Sequence, residues 1–109
     1  MKEIKFRAWN NIDKGFIAWS SIKFILSSIL ASRHYSLMQY TGLKDMNGVE
    51  IYEGDIAYIA GVGNCVVRWR DWYLGFMFCR ESEDHELFSV IEDVEKVIGN
   101  IHENPELIE

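Results

Sequence analysis

The sequence predicts a mainly β protein: a β-hairpin and one short helix, followed by a C-terminal part built as a small closed or nearly closed β-barrel. Three observations predict it. Ile4, Phe6 and Ala8 alternate with Lys5 and Arg7, the period-two signature of a strand with one buried face. Ile22, Ile25, Leu26, Ile29 and Leu30 fall on one stripe of a helix. Beyond Asn47-Gly48 the chain becomes a succession of short runs of β-formers separated by turn residues, the spacing of small barrels.

In chain order, the strand at 4–9 leads into Asn10-Asn11-Ile12-Asp13-Lys14-Gly15, a turn by composition, and Phe16-Ile17-Ala18-Trp19 returns to complete a hairpin. Ser20 or Ser21 can cap a helix over 21–32, because a serine oxygen accepts one of the orphan N–H groups of the first turn. Phe24 lies off the stripe, and Arg33 ends it. Residues 37–41 read as a strand and 42–48 as a loop whose Asn47-Gly48 is the sharpest turn signal in the chain. This loop marks the boundary between an N-terminal region, 1–42, and a barrel domain, 43–109. Strand runs follow at 49–52, 56–59, 65–69, 74–79, 87–90 and 94–101, and the single proline, Pro105, falls in the tail, where it disturbs no ladder.

Two glycines read as structural. Gly54 precedes Asp55 at a tight entry into the strand at 56–59; without a Cβ it can take a turn conformation closed to other residues, and Asp55 can cap the turn. Gly99, with Asn100, interrupts an apolar strand and signals a bulge or a close backbone approach. The hairpin 65–79 has an expected register as well. With Trp69 opposite Gly75 across a five-residue turn at 70–74, Cys65 faces Cys79, with β-carbons about 4.5–5.5 Å apart.

A length of 109 residues fits one domain, or one with a small appendage, and 49% hydrophobic with 26% charged residues excludes global disorder. No segment reaches the roughly 20 apolar residues of a bilayer span, and the opening residues lack the apolar run of a secretion signal. A cytoplasmic protein is therefore expected, with Cys65 and Cys79 kept as thiols. The net charge of −6 hides an asymmetry: residues 1–48 carry seven Lys/Arg and three Asp/Glu (+4), residues 49–109 four and fourteen (−10). Nucleic acid is a disfavoured partner for the acidic half, because phosphate binding needs clustered cations.

Catalytic and metal chemistry find no foothold. Cys65, Cys79, His34, His85 and His102 are too scattered to give the close ligand pairs of a zinc site. No Gly-x-Ser-x-Gly elbow ties a nucleophile to a base, and Gly61-Val62-Gly63 lacks the lysine and following helix of a phosphate loop. The acidic run Glu81-Ser82-Glu83-Asp84-His85-Glu86 lacks the ordered alternation and glycine of a calcium loop, so a solvated loop is expected. No enzyme activity and no cofactor are expected. Aromatic residues make up 14% of the chain, and Trp72-Tyr73 sits at a hairpin tip, where burial is harder. Trp72 and Tyr73, with Tyr52 and Asp55, are the candidate partner-binding residues.

Three stretches in fixed order carry a family resemblance: Glu3-Ile4-Lys5-Phe6-Arg7-Ala8-Trp9; Met38-Gln39-Tyr40-Thr41-Gly42-Leu43-Lys44-Asp45, continuing through Asn47-Gly48 to Glu50-Ile51-Tyr52-Glu53-Gly54-Asp55-Ile56; and Val97-Ile98-Gly99-Asn100-Ile101-His102-Glu103-Asn104-Pro105-Glu106-Leu107. The chain resembles the YopX family, small proteins of phages and prophages. That resemblance implies an SH3-like barrel in the C-terminal part and a smaller N-terminal region. It implies no activity. The expected function is accessory, through a protein partner or self-association. The alternative is an SH3-like nucleic-acid-binding module using Lys2, Lys5, Arg7, Arg68 and Arg70.

Overall fold

The computed structural model describes residues 3–59, 63–81, 86–90 and 96–108. It is mainly β, with two antiparallel sheets and two short α-helices. The chain divides into two units, Met1–Tyr40 and Thr41–Glu109.

In the first unit, strand β1 (Phe6–Asn10) is central. It pairs antiparallel with β2 (Gly15–Ile17) and with β3 (Tyr35–Lys44), so that Ala8 stands between Ile17 and Leu37. The small side chain of Ala8 leaves room above it for Ile22 and Ile29, and these three buried residues form the core with Ile17, Trp19, Leu26, Tyr35 and Leu37 around them. Aromatic pairs add to it: Trp9 meets Phe16 edge to face at 4.8 Å, and Phe6 meets Trp19 at 5.8 Å.

The expected helix over 21–32 is two helices, α1 (Trp19–Ile22) and α2 (Leu26–Ala31), separated by a turn in which the Ile25 N–H donates to the Ile22 carbonyl. Only part of the stripe is buried. Ile22 and Ile29 are covered, whereas Ile25 is 45% and Leu30 64% exposed. The cause lies in weak local preference. Neither helix has a side-chain cap, and Ser20 and Ser21 fall inside α1 rather than ahead of it. Three β-branched isoleucines in an uncapped segment cannot sustain a helix against packing demands.

In the second unit β4 (Glu50–Tyr52) is bonded to β3, where the Thr41 hydroxyl donates to the Ile51 carbonyl at 2.7 Å. The remaining strands are β5 (Asp55–Ile59), β6 (Gly63–Arg70), β7 (Gly75–Glu81), β8 (Glu86–Val90) and β9 (Val97–Asn100). They form one five-stranded antiparallel sheet in the order β8-β7-β6-β5-β9. A register shift between Ile56 and Ala57, opposite Gly99 and Val97, leaves Ile98 as the extra residue of a bulge. Ile51, Ala57, Cys65, Val67, Phe76 and Phe78 build the core on one face.

The β6–β7 register differs from expectation by one residue. Arg70 faces Gly75, Trp69 faces Phe76, Val67 faces Phe78 and Val66 faces Cys79. The loop is four residues, 71–74, closed by the Tyr73 and Leu74 N–H groups donating to the Arg70 carbonyl. A one-residue slip exchanges faces. Cys65 therefore joins Val67 in the core while Cys79 lies on the opposite face beside Val66, and the expected cross-strand cysteine pair does not form. Part of Gly61-Val62-Gly63 and residues 82–85 of the acidic run lie outside the described residues.

Candidate functional site

The tip of the β6–β7 hairpin concentrates exposed apolar surface. Trp69 is 41%, Trp72 66%, Tyr73 41% and Leu74 80% exposed. Local contacts hold the group in place. The Trp69 indole N–H donates to Asp71 Oδ1 at 2.8 Å, and its ring meets Phe76 edge to face at 5.2 Å. Trp72 and Tyr73 meet at 6.0 Å. Tyr73 lies over Gly75, where a Cβ would stand 3.4 Å from its ring. Leu74 has φ 56°, in the left-handed region that penalises a branched side chain.

The β1–β2 hairpin has the same loop length and the same geometry: Asn10 faces Gly15, and Lys14, the residue before the glycine, has φ 58°. There the loop is capped by Asn10 Oδ1, which accepts the N–H groups of Ile12 and Asp13. Trp72 and Tyr73 thus come together as the sequence suggests, joined by Trp69 and Leu74, which sequence reasoning missed. The parallel between Lys14-Gly15 and Leu74-Gly75 is the signal that could have exposed the four-residue loop.

Tyr52 and Asp55 are placed elsewhere. Asp55 is 2% exposed and its Oδ2 accepts the Tyr52 N–H at 2.8 Å. That carboxylate is a turn cap, closed to a partner; Tyr52 is half-buried on β4. Gly54 has φ +86°; its N–H donates to the Val67 carbonyl, and its carbonyl accepts the Ile101 N–H. Gly99 packs so closely on Asn104 that an added Cβ would lie 2.5 Å from Oδ1. Asn104 Oδ1 accepts the Asn100 N–H, while Asn100 Oδ1 accepts those of His102 and Glu103. These residues tie the end of β9 to the turn after β4.

Asp45 is the buried polar group that the sequence reading passed over. Its Oδ1 accepts the N–H groups of Asn47 and Val49, and its Oδ2 accepts that of Val97 at 3.0 Å. Burial works to raise its pKa, but the Val97, Val49 and Asn47 donors and the Lys96 charge outweigh burial and hold the carboxyl below its ordinary value. Burial pushes the Cys65 thiol up, partly offset by Arg80. Among the described residues no group of three His, Cys, Asp or Glu could hold a metal ion, and no helix is long and apolar enough to cross a membrane.

No curated protein matches the chain. Among solved structures it is similar to the crystal structure of protein EF1440 from Enterococcus faecalis, with 25% identity, full coverage of both chains (100% each) and a TM-score of 0.55. The family model described as YopX protein matches residues 25–109. That span takes in β3 through the tail, with the Gly54-Asp55 turn, the aromatic hairpin tip and the Gly99–Asn104 closure, and leaves out β1 and β2. The chain belongs to the YopX family.

Proposed function

We propose that this is a phage or prophage accessory protein of the bacterial cytoplasm that binds a protein partner through the tip of the β6–β7 hairpin, carried on an SH3-like barrel. The observation behind it is Leu74. A left-handed residue with a side chain costs about 1–2 kcal/mol, and glycine avoids that cost. Leu74 bears it while 80% exposed, so no burial within the chain offsets it. The four-residue loop imposes this conformation, as it does on Lys14, and what singles out Leu74 is the large apolar side chain that it holds in solvent. Around it stand two tryptophans and a tyrosine, residue types that dominate binding hot spots, and their mutual contacts lower the ordering cost of docking. The −10 charge of residues 49–109 favours a partner with a basic surface.

The test compares wild type with Trp72→Ala and Leu74→Gly, whose side chains are exposed and leave the core intact. A partner captured from host extract by wild type, at least tenfold weaker for both variants, supports the role. Equal capture by wild type and variants rejects it. Self-association takes the place of an outside partner if wild type sediments as a dimer and Trp72→Ala as a monomer. Tight DNA or RNA binding at about 50 mM salt that collapses at about 200 mM would favour the nucleic-acid module instead.

A further inference from the structure

The helices of the first unit carry apolar surface that its core does not use. Ile22 and Ile29 are buried against Ala8, whereas Phe24 is 80%, Ile25 45% and Leu30 64% exposed. The break between α1 and α2 produces this exposure. Phe24 and Ile25 fall in the turn that joins the helices, and Leu30 lies about 8 Å further along the axis of α2, so the three residues are close neighbours. An exposed apolar group of this kind marks contact with a protein or a membrane.

Charge complementarity selects between them. From Lys14 to Lys44 the sequence holds no Asp or Glu, although the chain has seventeen. The first unit carries six Lys/Arg against two Asp/Glu (+4). Lys23 and Arg33 flank the apolar residues in sequence and are exposed, and Lys23 Nζ stands 5.3 Å from the centre of the Phe24 ring. A cation beside an exposed ring suits a layered surface, anionic outside and apolar beneath. Five of the fifteen residues from Trp19 to Arg33 are serines. Serine and leucine are poor hot-spot residues for a protein partner, unlike the tryptophans and tyrosine of the hairpin tip. Aliphatic Ile25 and Leu30 offer no ring on which a base could stack. Two copies meeting face to face here would oppose two units of like charge. An anionic lipid surface meets none of these obstacles. Apolar side chains enter the acyl boundary without a shaped pocket, hydroxyls rest among the headgroups, and lysine and arginine meet the phosphates.

We propose that the α1–α2 segment docks the protein on an anionic lipid surface, with Phe24, Ile25 and Leu30 entering the boundary between headgroups and acyl chains and Lys23 and Arg33 facing lipid phosphates. The contact is separate from the hairpin tip and does not rest on the tip's role. It is tested by flotation of the full chain with vesicles of equal parts phosphatidylglycerol and phosphatidylethanolamine, and with vesicles of phosphatidylcholine alone, at about 100 mM salt. Partitioning onto the anionic vesicles should exceed that onto the neutral ones at least tenfold. The paired substitution Phe24→Ser with Leu30→Ser should lower it at least tenfold, and Lys23→Gln with Arg33→Gln at least fivefold. All four side chains are exposed, so melting temperatures should move by less than about 3 °C. Trp72→Ala should float as wild type does. The site is rejected if the protein does not float with anionic vesicles, if it floats equally with neutral ones, or if either pair floats as wild type. A loss caused by Trp72→Ala rejects it too, by placing the lipid contact on the hairpin tip. Sedimentation without lipid addresses a second copy: a wild-type dimer that Phe24→Ser with Leu30→Ser turns into monomers assigns the patch to self-association and overturns the proposal. Binding of duplex DNA or of a host protein that this pair abolishes, in the absence of flotation, overturns it likewise.

Discussion

At Asp45 a single carboxylate serves two distant segments: one oxygen closes the Asn47-Gly48 turn and the other accepts the Val97 N–H at the start of β9. Because the folded-state pKa lies below the ordinary 3.8, the charged form contributes stability that is complete above that value and is lost as pH falls through the folded pKa. The melting temperature of wild type should fall steeply below about pH 4. Asp45→Asn should melt lower at neutral pH and lose part of that acid dependence, since its amide nitrogen cannot accept an N–H. Asn104 makes a comparable closure at the other end of β9. Gly99→Ala should cost about 1–3 kcal/mol, because Oδ1, Cγ and Cβ of Asn104 all lie within 3.0 Å of the new methyl position and the side chain must leave Asn100. In an Asn104→Gly background the same substitution should cost less, and urea unfolding of the four proteins measures the coupling. Gly54→Val should cost on the order of 1–3 kcal/mol through its positive φ, read the same way.

At the scale of elements, how much was legible depended on whether the signal was local. Gly54-Asp55 was readable because a glycine and a capping acid before a β run act within a few residues. Asp45 was not, because nothing near it in sequence says that the unpaired N–H of Val97, fifty-two residues away, will arrive there. Runs of β-formers between turn residues marked the β6 and β7 strands, yet such a run does not set the length of the loop that joins them. A four-residue loop in place of five moved Cys79 to the face opposite Cys65. Oxidation of the folded protein should therefore give no intramolecular disulfide between them, with mass spectrometry as the readout. The helical stripe at 22–30 had the right period but too little propensity to hold one helix, and the two short helices bury Ile22 and Ile29 while Ile25 and Leu30 stay exposed. Ile22→Ala should cost about 2–4 kcal/mol, whereas Leu30→Ala should change stability by less than about 0.5 kcal/mol. Equal losses at both positions would restore the single amphipathic helix.

Across the whole molecule, stability and binding are assigned to different places. Each unit has its own core, around Ala8 and Ile22 in the first and around Val67 and Phe78 in the second. Among the described residues, Trp69, Trp72 and Tyr73 form an exposed aromatic cluster on a hairpin tip outside both cores. This separation gives Leu74→Gly a double signature: relief of backbone strain should stabilise the protein by about 1 kcal/mol while binding weakens. A Leu74 that serves the fold alone would show the first effect without the second. The most direct test of the protein-binding role is site-specific photocrosslinking in the bacterial host, with a photoreactive amino acid replacing Trp72 and, as a control, Phe24, which is 80% exposed in the other unit. A binding tip yields a discrete crosslinked protein from position 72 that is absent from position 24. No adduct from position 72, or the same adducts from both positions, would contradict it.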